Sequence, residues 1–221
     1  MSPCSETTAH RPVAELFAAT LQGEPSVVHG LGEQGSVVPV SRWAEDADAS
    51  DEALLSQCVG PTLDVGCGPG RMTQALALRG ACVLGLDLMR EAVAQTRARG
   101  ASAIQRDVFL GVPGEGRWGS VLLADGNIGI GGDPVRLLCR VADLLAVGGR
   151  VVLDLAPPGH GLDRRVLRLE VGDRLSEPFA WGVLAPEALP HVAAVAGLEV
   201  MEVRCEGSRW IALLQRGGLR P

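Results

Sequence analysis

Between residues 61 and 155 short apolar runs alternate with helical segments, and this rhythm restricts the fold more than any other feature of the chain. The apolar runs are 62–65 (TLDV), 82–87 (CVLGLD), 102–107 (SAIQRD), 121–125 (VLLAD) and 150–155 (RVVLDL). Helical spacing of apolar residues falls between them, at 70–79, 90–99 and 134–146. The apolar runs are continuous rather than alternating, as strands buried on both faces require. Strand–helix repeats with short links imply right-handed βαβ units and a parallel sheet covered by helices. The rhythm breaks at 157–184, where Pro157, Pro158, Gly159, Gly161, Gly172 and Pro178 cluster around 164–171 (RRVLRLEV), a segment that partly alternates as an extra strand would. A helix is predicted over 186–196, then strands over 198–206 and 208–216 joined at Gly207 and paired antiparallel. Ahead of the regular region lie a helix at 12–22, the apolar pieces SVVHG and SVVPV, and a short helix at 51–59 with Ser50 or Asp51 as its cap.

Composition narrows the function. The 221 residues are 47% hydrophobic and 21% charged, an ordinary globular profile that excludes a disordered, coiled-coil or fibrous chain. No run of eighteen uncharged apolar residues is present, and MSPCSETTAHRP lacks the basic and apolar regions of a secretory signal. A cytoplasmic location and no membrane partner are expected. Net charge is −6 and all 20 basic residues are Arg, so the chain is a poor match for nucleic acid. The six Cys form no C-x-x-C pair and no cluster with His at metal spacing, so no metal is expected.

The most informative local pattern is Leu63-Asp64-Val65-Gly66-Cys67-Gly68-Pro69-Gly70-Arg71, where a buried strand turns into a helix. Closely spaced glycines let backbone approach a ligand, and the helix N-terminus behind them is electropositive. The dinucleotide fingerprint G-x-G-x-x-G is not met, because Arg71 occupies its third glycine position, and a phosphate loop is excluded by the lack of Lys. The pattern is D-x-G-x-G-x-G, which resembles the signature of class I S-adenosylmethionine (SAM)-dependent methyltransferases. Two further signals strengthen the resemblance: Asp87 at the end of the next strand in GLDLM, and Arg106-Asp107-Val108-Phe109 after the third.

The resemblance covers 60–156 closely and 185–216 in outline. It implies a doubly wound, mostly parallel seven-stranded α/β sheet with helices on both faces and an antiparallel C-terminal hairpin strand. It implies that residues 1–50 cover the site, with a methyltransferase domain over 51–221 and a substrate-side insert at about 157–184. SAM would be held as follows. Asp64 orients the loop near the methionine amino group, and Gly66, Cys67, Gly68 and Gly70 line methionine and ribose. Asp87 accepts from the ribose hydroxyls, Leu88 and Met89 flank the adenine, Asp107 and Val108 contact it, and Ala124 lines the cofactor.

On the acceptor side, 122–134 ends the fourth strand, making Asp125 and Asn127 candidates for contact with the acceptor or, equally, turn-formers. The N/D-P-P-aromatic motif of amino-methylating nucleic-acid enzymes is missing. A hydroxyl acceptor needs a base, for which His suits best. His160, in the loop after the fifth strand, and His29, in the covering segment, are the candidates beside Asp125. Trp181 lies where a lid would form. Arg164, Arg165, Arg168 and Arg174 are either a solvated strand face or a grip for an anionic acceptor. The expectation is methyl transfer from SAM to a small molecule, at oxygen, by a monomer or homodimer. The alternatives are a non-catalytic SAM-binding subunit or a methyltransferase acting on a protein or peptide.

Overall fold

The computed structural model describes residues 10–31, 36, 37 and 40–217. In chain order the elements are α1 (Val13–Leu21), β1 (Ser26–His29), β2 (Ser36–Val37), α2 (Val40–Ala44), α3 (Ala49–Leu55), β3 (Thr62–Val65), α4 (Arg71–Leu78), β4 (Val83–Asp87), α5 (Arg90–Ala98) and β5 (Ala103–Gln105). There follow β6 (Trp118–Leu123), a 3-10 turn (Asn127–Gly132), α6 (Pro134–Leu144), β7 (Leu145–Leu155), β8 (Leu162–Val171), β9 (Arg174–Leu175), β10 (Phe179–Leu184), α7 (Leu189–Val195), β11 (Leu198–Glu206) and β12 (Arg209–Arg216).

Seven strands form the main sheet in the order β11-β12-β7-β6-β3-β4-β5. β3 pairs parallel with β4 and β6, β4 with β5, and β6 with β7, while β12 inserts antiparallel between β7 and β11. This is the parallel, helix-covered sheet that the strand–helix rhythm predicts, with the seven strands and antiparallel C-terminal hairpin strand that the resemblance implies. Both faces are covered. Leu123, Val151 and Leu153 pack with α6 and α7 through Leu137, Leu138, Val141 and Val192. Leu122, Val152 and Ile211 pack on the other face with Leu54 and Leu55 of α3 and Met72 and Leu76 of α4. Leu122, Leu123, Val151, Val152 and Leu153 are wholly inaccessible, each stabilising the sheet by roughly 1.5–3 kcal/mol. Such burial explains the continuous apolar runs.

A second, antiparallel sheet runs β10-β8-β1-β2, with β9 pairing β8. It joins the N-terminal segment to the 157–184 insert: Ser26, Val27, Val28 and His29 pair with Val171, Glu170, Leu169 and Arg168. α1 packs beneath it through Leu16 and Ala19 against Leu169 and Val171. The segment 164–171 is thus part of a ten-residue strand.

Several boundaries differ from the sequence reading. α3 begins at Ala49, and its cap is Asp48, not Ser50 or Asp51: Asp48 accepts from the backbone N–H of Ser50 and Asp51, and Asp51 accepts in return from the N–H of Asp48. This reciprocal box satisfies two helix-end donors at once. α7 begins at Leu189, after the turn at 186–188. β7 starts at Leu145, so the helix before it ends at Leu144.

Candidate active site

The carboxyl ends of β3, β4, β6 and β7 open into a cleft of about 1010 Å³, roofed by α1 and the inner face of the second sheet. β3 delivers Asp64, 1% exposed, beneath the glycine loop, where the Thr73 hydroxyl donates to its Oδ2 at 2.6 Å. Burial pushes the Asp64 carboxyl up to about 7, against the lowering effect of the Thr73 bond.

The three glycines of the loop serve different ends. A Cβ on Gly66 would come within 2.7 Å of Asn127 Nδ2, and one on Gly70 within 2.6 Å of Thr96 Oγ1. Gly68, at φ +53, has nothing within 4 Å of its missing Cβ, which leaves an open cradle on the cleft side. Gly66, Cys67 and Gly68 line the cleft. Gly70 does not; it seats the loop on α5, a correction to its expected place along the ligand. The Cys67 thiol turns to Thr96 Oγ1 at 3.7 Å, and burial pushes its pKa up.

Asp87 ends β4 and faces the same cleft. Its carboxylate accepts from Gly68 N–H at 2.9 Å and Met89 N–H at 2.7 Å, fixing the loop against the strand end. Burial raises its pKa, and these backbone bonds lower it. Leu88 and Met89 continue the wall. Asp107 caps its own turn through Phe109 N–H at 2.9 Å, and Val108 is held from behind by Arg140 Nε on its carbonyl at 2.8 Å. Asp64, Leu88, Met89, Asp107, Val108 and Ala124 therefore share one cavity with the glycine loop.

At the ends of β6, β7 and β12 the structure builds a charge cluster the sequence did not reveal. Val152 and Ile211 face α3 and α4, so by the two-residue period of a strand Asp154 and Arg209 face the same way. Arg209 donates to Asp154 Oδ1 at 2.7 Å, Asp51 Oδ1 at 2.7 Å and Asp125 Oδ1 at 2.8 Å. Arg71, 3% exposed, is paired with Asp51 and Asp125. Asp125 N–H donates to Asp154 Oδ2 at 2.6 Å, and Asp125 has φ +53, which makes it the one non-glycine residue with positive φ among the described residues. Paired carboxylate oxygens hold it in a conformation that strains an L-residue.

The acceptor-side candidates disperse. Asn127 donates its amide to Val65 and Gly66 carbonyls, both at 2.9 Å, so its N–H groups clamp the glycine loop. Trp181 lies over Gly129, where a Cβ would come within 2.2 Å of its Nε1, and this contact docks β10 on the 3-10 turn. His160 is exposed and lines a side pocket of about 240 Å³ that shares Leu31, Asp154, Leu155 and Trp181 with the main cleft. His29 is not in the cleft. It lies next to cleft-lining Val28 on β1, so strand alternation turns it outward, where its Nε2 meets Glu170 at 2.7 Å. Arg164, Arg168 and Arg174 also stand outside the cleft, on Asp133, His10 and Glu24 respectively. Arg165 pairs with Asp163 beside the side pocket. No His, Cys, Asp and Glu group suited to a metal occurs among the described residues, and no helix there is long and apolar enough to cross a membrane.

Arg71 carried a faint signal, as the residue that displaces the third dinucleotide glycine. Asp51 and Arg209 carried none, since the cluster exists only through pairing of β12 with β7 and packing of α3 beneath them.

The sheet and the cleft at its carboxyl edge have the fold of solved SAM-dependent methyltransferases. Residues 62–149 match the methyltransferase domain family model. The chain is 32% identical over 136 residues to a trans-aconitate 2-methyltransferase of Afipia carboxidovorans, a match covering 58% of this chain and 51% of that protein. It is 30% identical over 110 residues to the enzyme of the same name from Paracidovorax citrulli, covering 48% and 42%. The chain thus spans about half the length of the curated relatives it matches. A SAM-dependent methyltransferase from Bacteroides fragilis, solved with S-adenosylhomocysteine, superposes with a TM-score of 0.77 at 20% identity, covering 97% of this chain and all of that one.

Proposed function

We propose that this chain transfers the methyl group of SAM to an oxygen atom of a small molecule. The observation that carries the reading is the Asp87 carboxylate, anchored by Gly68 and Met89 N–H groups and facing the open cradle at Gly68. A fixed strand-end carboxylate beside a side-chain-free loop suits a ribose diol. Asp87 accepts from the ribose hydroxyls, and Leu88 and Met89 bracket the adenine. The second oxygen of Asp107 serves the adenine amino group, next to Val108. Asp64, Gly66, Cys67, Gly68 and Ala124 line the methionine end. SAM supplies a methyl group made electrophilic by its sulfonium sulfur.

Transfer then depends on holding the acceptor in line with that group, and alignment alone can provide much of the rate. The second sheet supplies this alignment with Trp181 as one wall. Asn127 positions the glycine loop through its two carbonyl bonds. Asp125 has both oxygens paired, with Arg71 and Arg209, and fixes the strand ends. Among the described histidines, His160 has a route to the acceptor through the side pocket and takes the hydroxyl proton.

Calorimetric titration with SAM and S-adenosylhomocysteine tests the reading. Micromolar binding is expected in the wild type. Asp87→Ala removes charged hydrogen bonds of about 1.5–3 kcal/mol each and should weaken binding by at least ten-fold. Absence of binding by the wild type refutes the proposal.

A further inference from the structure

Resting on that reading, the geometry points to the acceptor's class: an uncharged molecule with a flat, largely apolar ring, not a polyanion. Two independent features of the cleft lead there. The first is its roof. Phe17 of α1 and Phe179 of β10 meet edge to face, with ring centroids 5.9 Å apart and planes at 66°. Trp181 forms a second aromatic wall, immobilised over Gly129. Val28, Leu31 and Leu167 fill the space between. Strand alternation sends Arg168 and Glu170 to the other side, while Arg165, on the Leu167 face, is turned to Asp163 and the Leu31 carbonyl. Aromatic walls of this kind favour rings bound edge-on or in offset stacks.

The second feature is the floor. Six carboxylates and four guanidinium groups line the cleft as a whole. Arg209 spends its Nε, Nη1 and Nη2 on Asp154, Asp51 and Asp125. Arg71 is spent on Asp51 and Asp125. Arg42 stands 3.6 Å from both Asp48 and Asp51. Arg106 lies at the far, β4–β5 end, where its backbone N–H bonds to the Asp87 carbonyl and its side chain is exposed. An entering carboxylate finds the two guanidinium groups of the floor, Arg71 and Arg209, already taken by Asp51, Asp125 and Asp154. A neutral ring bearing a hydroxyl calls on neither. The trans-aconitate of the curated relatives' name is a tricarboxylate, so this inference separates the chain from them.

The test uses protein saturated with S-adenosylhomocysteine, titrated in parallel with 2-naphthol and trans-aconitate. Failure to bind S-adenosylhomocysteine at the outset counts against the cofactor reading itself. Given that binding, 2-naphthol should bind at least ten-fold more tightly than trans-aconitate. Phe179→Ala should weaken 2-naphthol by about ten-fold while leaving the S-adenosylhomocysteine Kd within two-fold, which also shows that the variant is folded. Tighter binding of trans-aconitate, binding of neither probe, or an unaltered 2-naphthol Kd in Phe179→Ala overturns the inference.

Discussion

Arg71→Met is the most informative perturbation of the fold around the site. Arg71 sits at the first turn of α4, where a cation is disfavoured by the helix dipole, so its presence calls for another cause. That cause is the pairing with Asp51, which is fully buried, and with Asp125. Methionine fills much of the same volume but leaves three carboxylates sharing Arg209. Orphaning a buried charge in this way costs about 3–5 kcal/mol. At roughly 2.1 cal/mol/K per residue, a chain of 221 residues should lose about 6–11 °C in Tm. Differential scanning calorimetry at pH 7.5 measures it. The pH dependence carries a second check. Burial raises the Asp51 pKa, but bonds from Arg71, Arg209 and Asp48 N–H outweigh it and hold the carboxyl below its ordinary 3.8. A depressed carboxylate stabilises the fold above the unfolded value and loses that contribution as pH falls through the folded one. The difference between wild type and variant should therefore shrink below about pH 4. Adding Asp51→Asn to the variant removes one orphaned charge and should recover part of the loss. A Tm change under about 2 °C at pH 7.5, with no recovery in the double variant, would refute the assignment of Arg71 as the buried counter-charge.

Other expectations address the site directly. Asp64, raised to about 7 by burial, resists ionisation in the free protein. Its contribution to stability is fully present below the unfolded value and is lost as pH rises toward about 7. Asp64→Asn should therefore raise Tm relative to wild type at pH 8 but not at pH 3, and equal effects at both would contradict a buried, proton-retaining Asp64. Gly129→Ala forces a methyl group into the Trp181 indole, at a cost of about 1–3 kcal/mol. Acceptor KM should rise while S-adenosylhomocysteine affinity holds, and calorimetry showing both weakened alike would assign Trp181 elsewhere. His160→Ala should lower kcat for a hydroxyl acceptor by about 10²–10⁴-fold while leaving S-adenosylhomocysteine affinity unchanged; an unaltered kcat would remove His160 from proton transfer.

The sequence by itself determined the main sheet and the cofactor half of the cleft. Strands buried on both faces must be apolar throughout, so TLDV, VLLAD and RVVLDL announce themselves without any partner in view. The turn from β3 into α4 is contiguous in the chain, so its glycines and Asp64 appear together as one motif. Asp87 is legible because a strand end is a local event. The acceptor half was decided by tertiary structure. Whether His29 points into the cleft or away from it depends on the register of β1 against β8, residues 26–29 on 168–171, and a one-residue slip would reverse it. Arg71, Asp51 and Arg209 read separately as ordinary surface charges. They become one buried cluster only because β12 lies antiparallel on β7 and α3 packs under both. Trp181 acquires its place from Gly129, more than fifty residues earlier, through a contact that neither local segment encodes alone. Local chemistry is written in consecutive residues, whereas the direction of a side chain across a sheet follows from which strands pair and in what register.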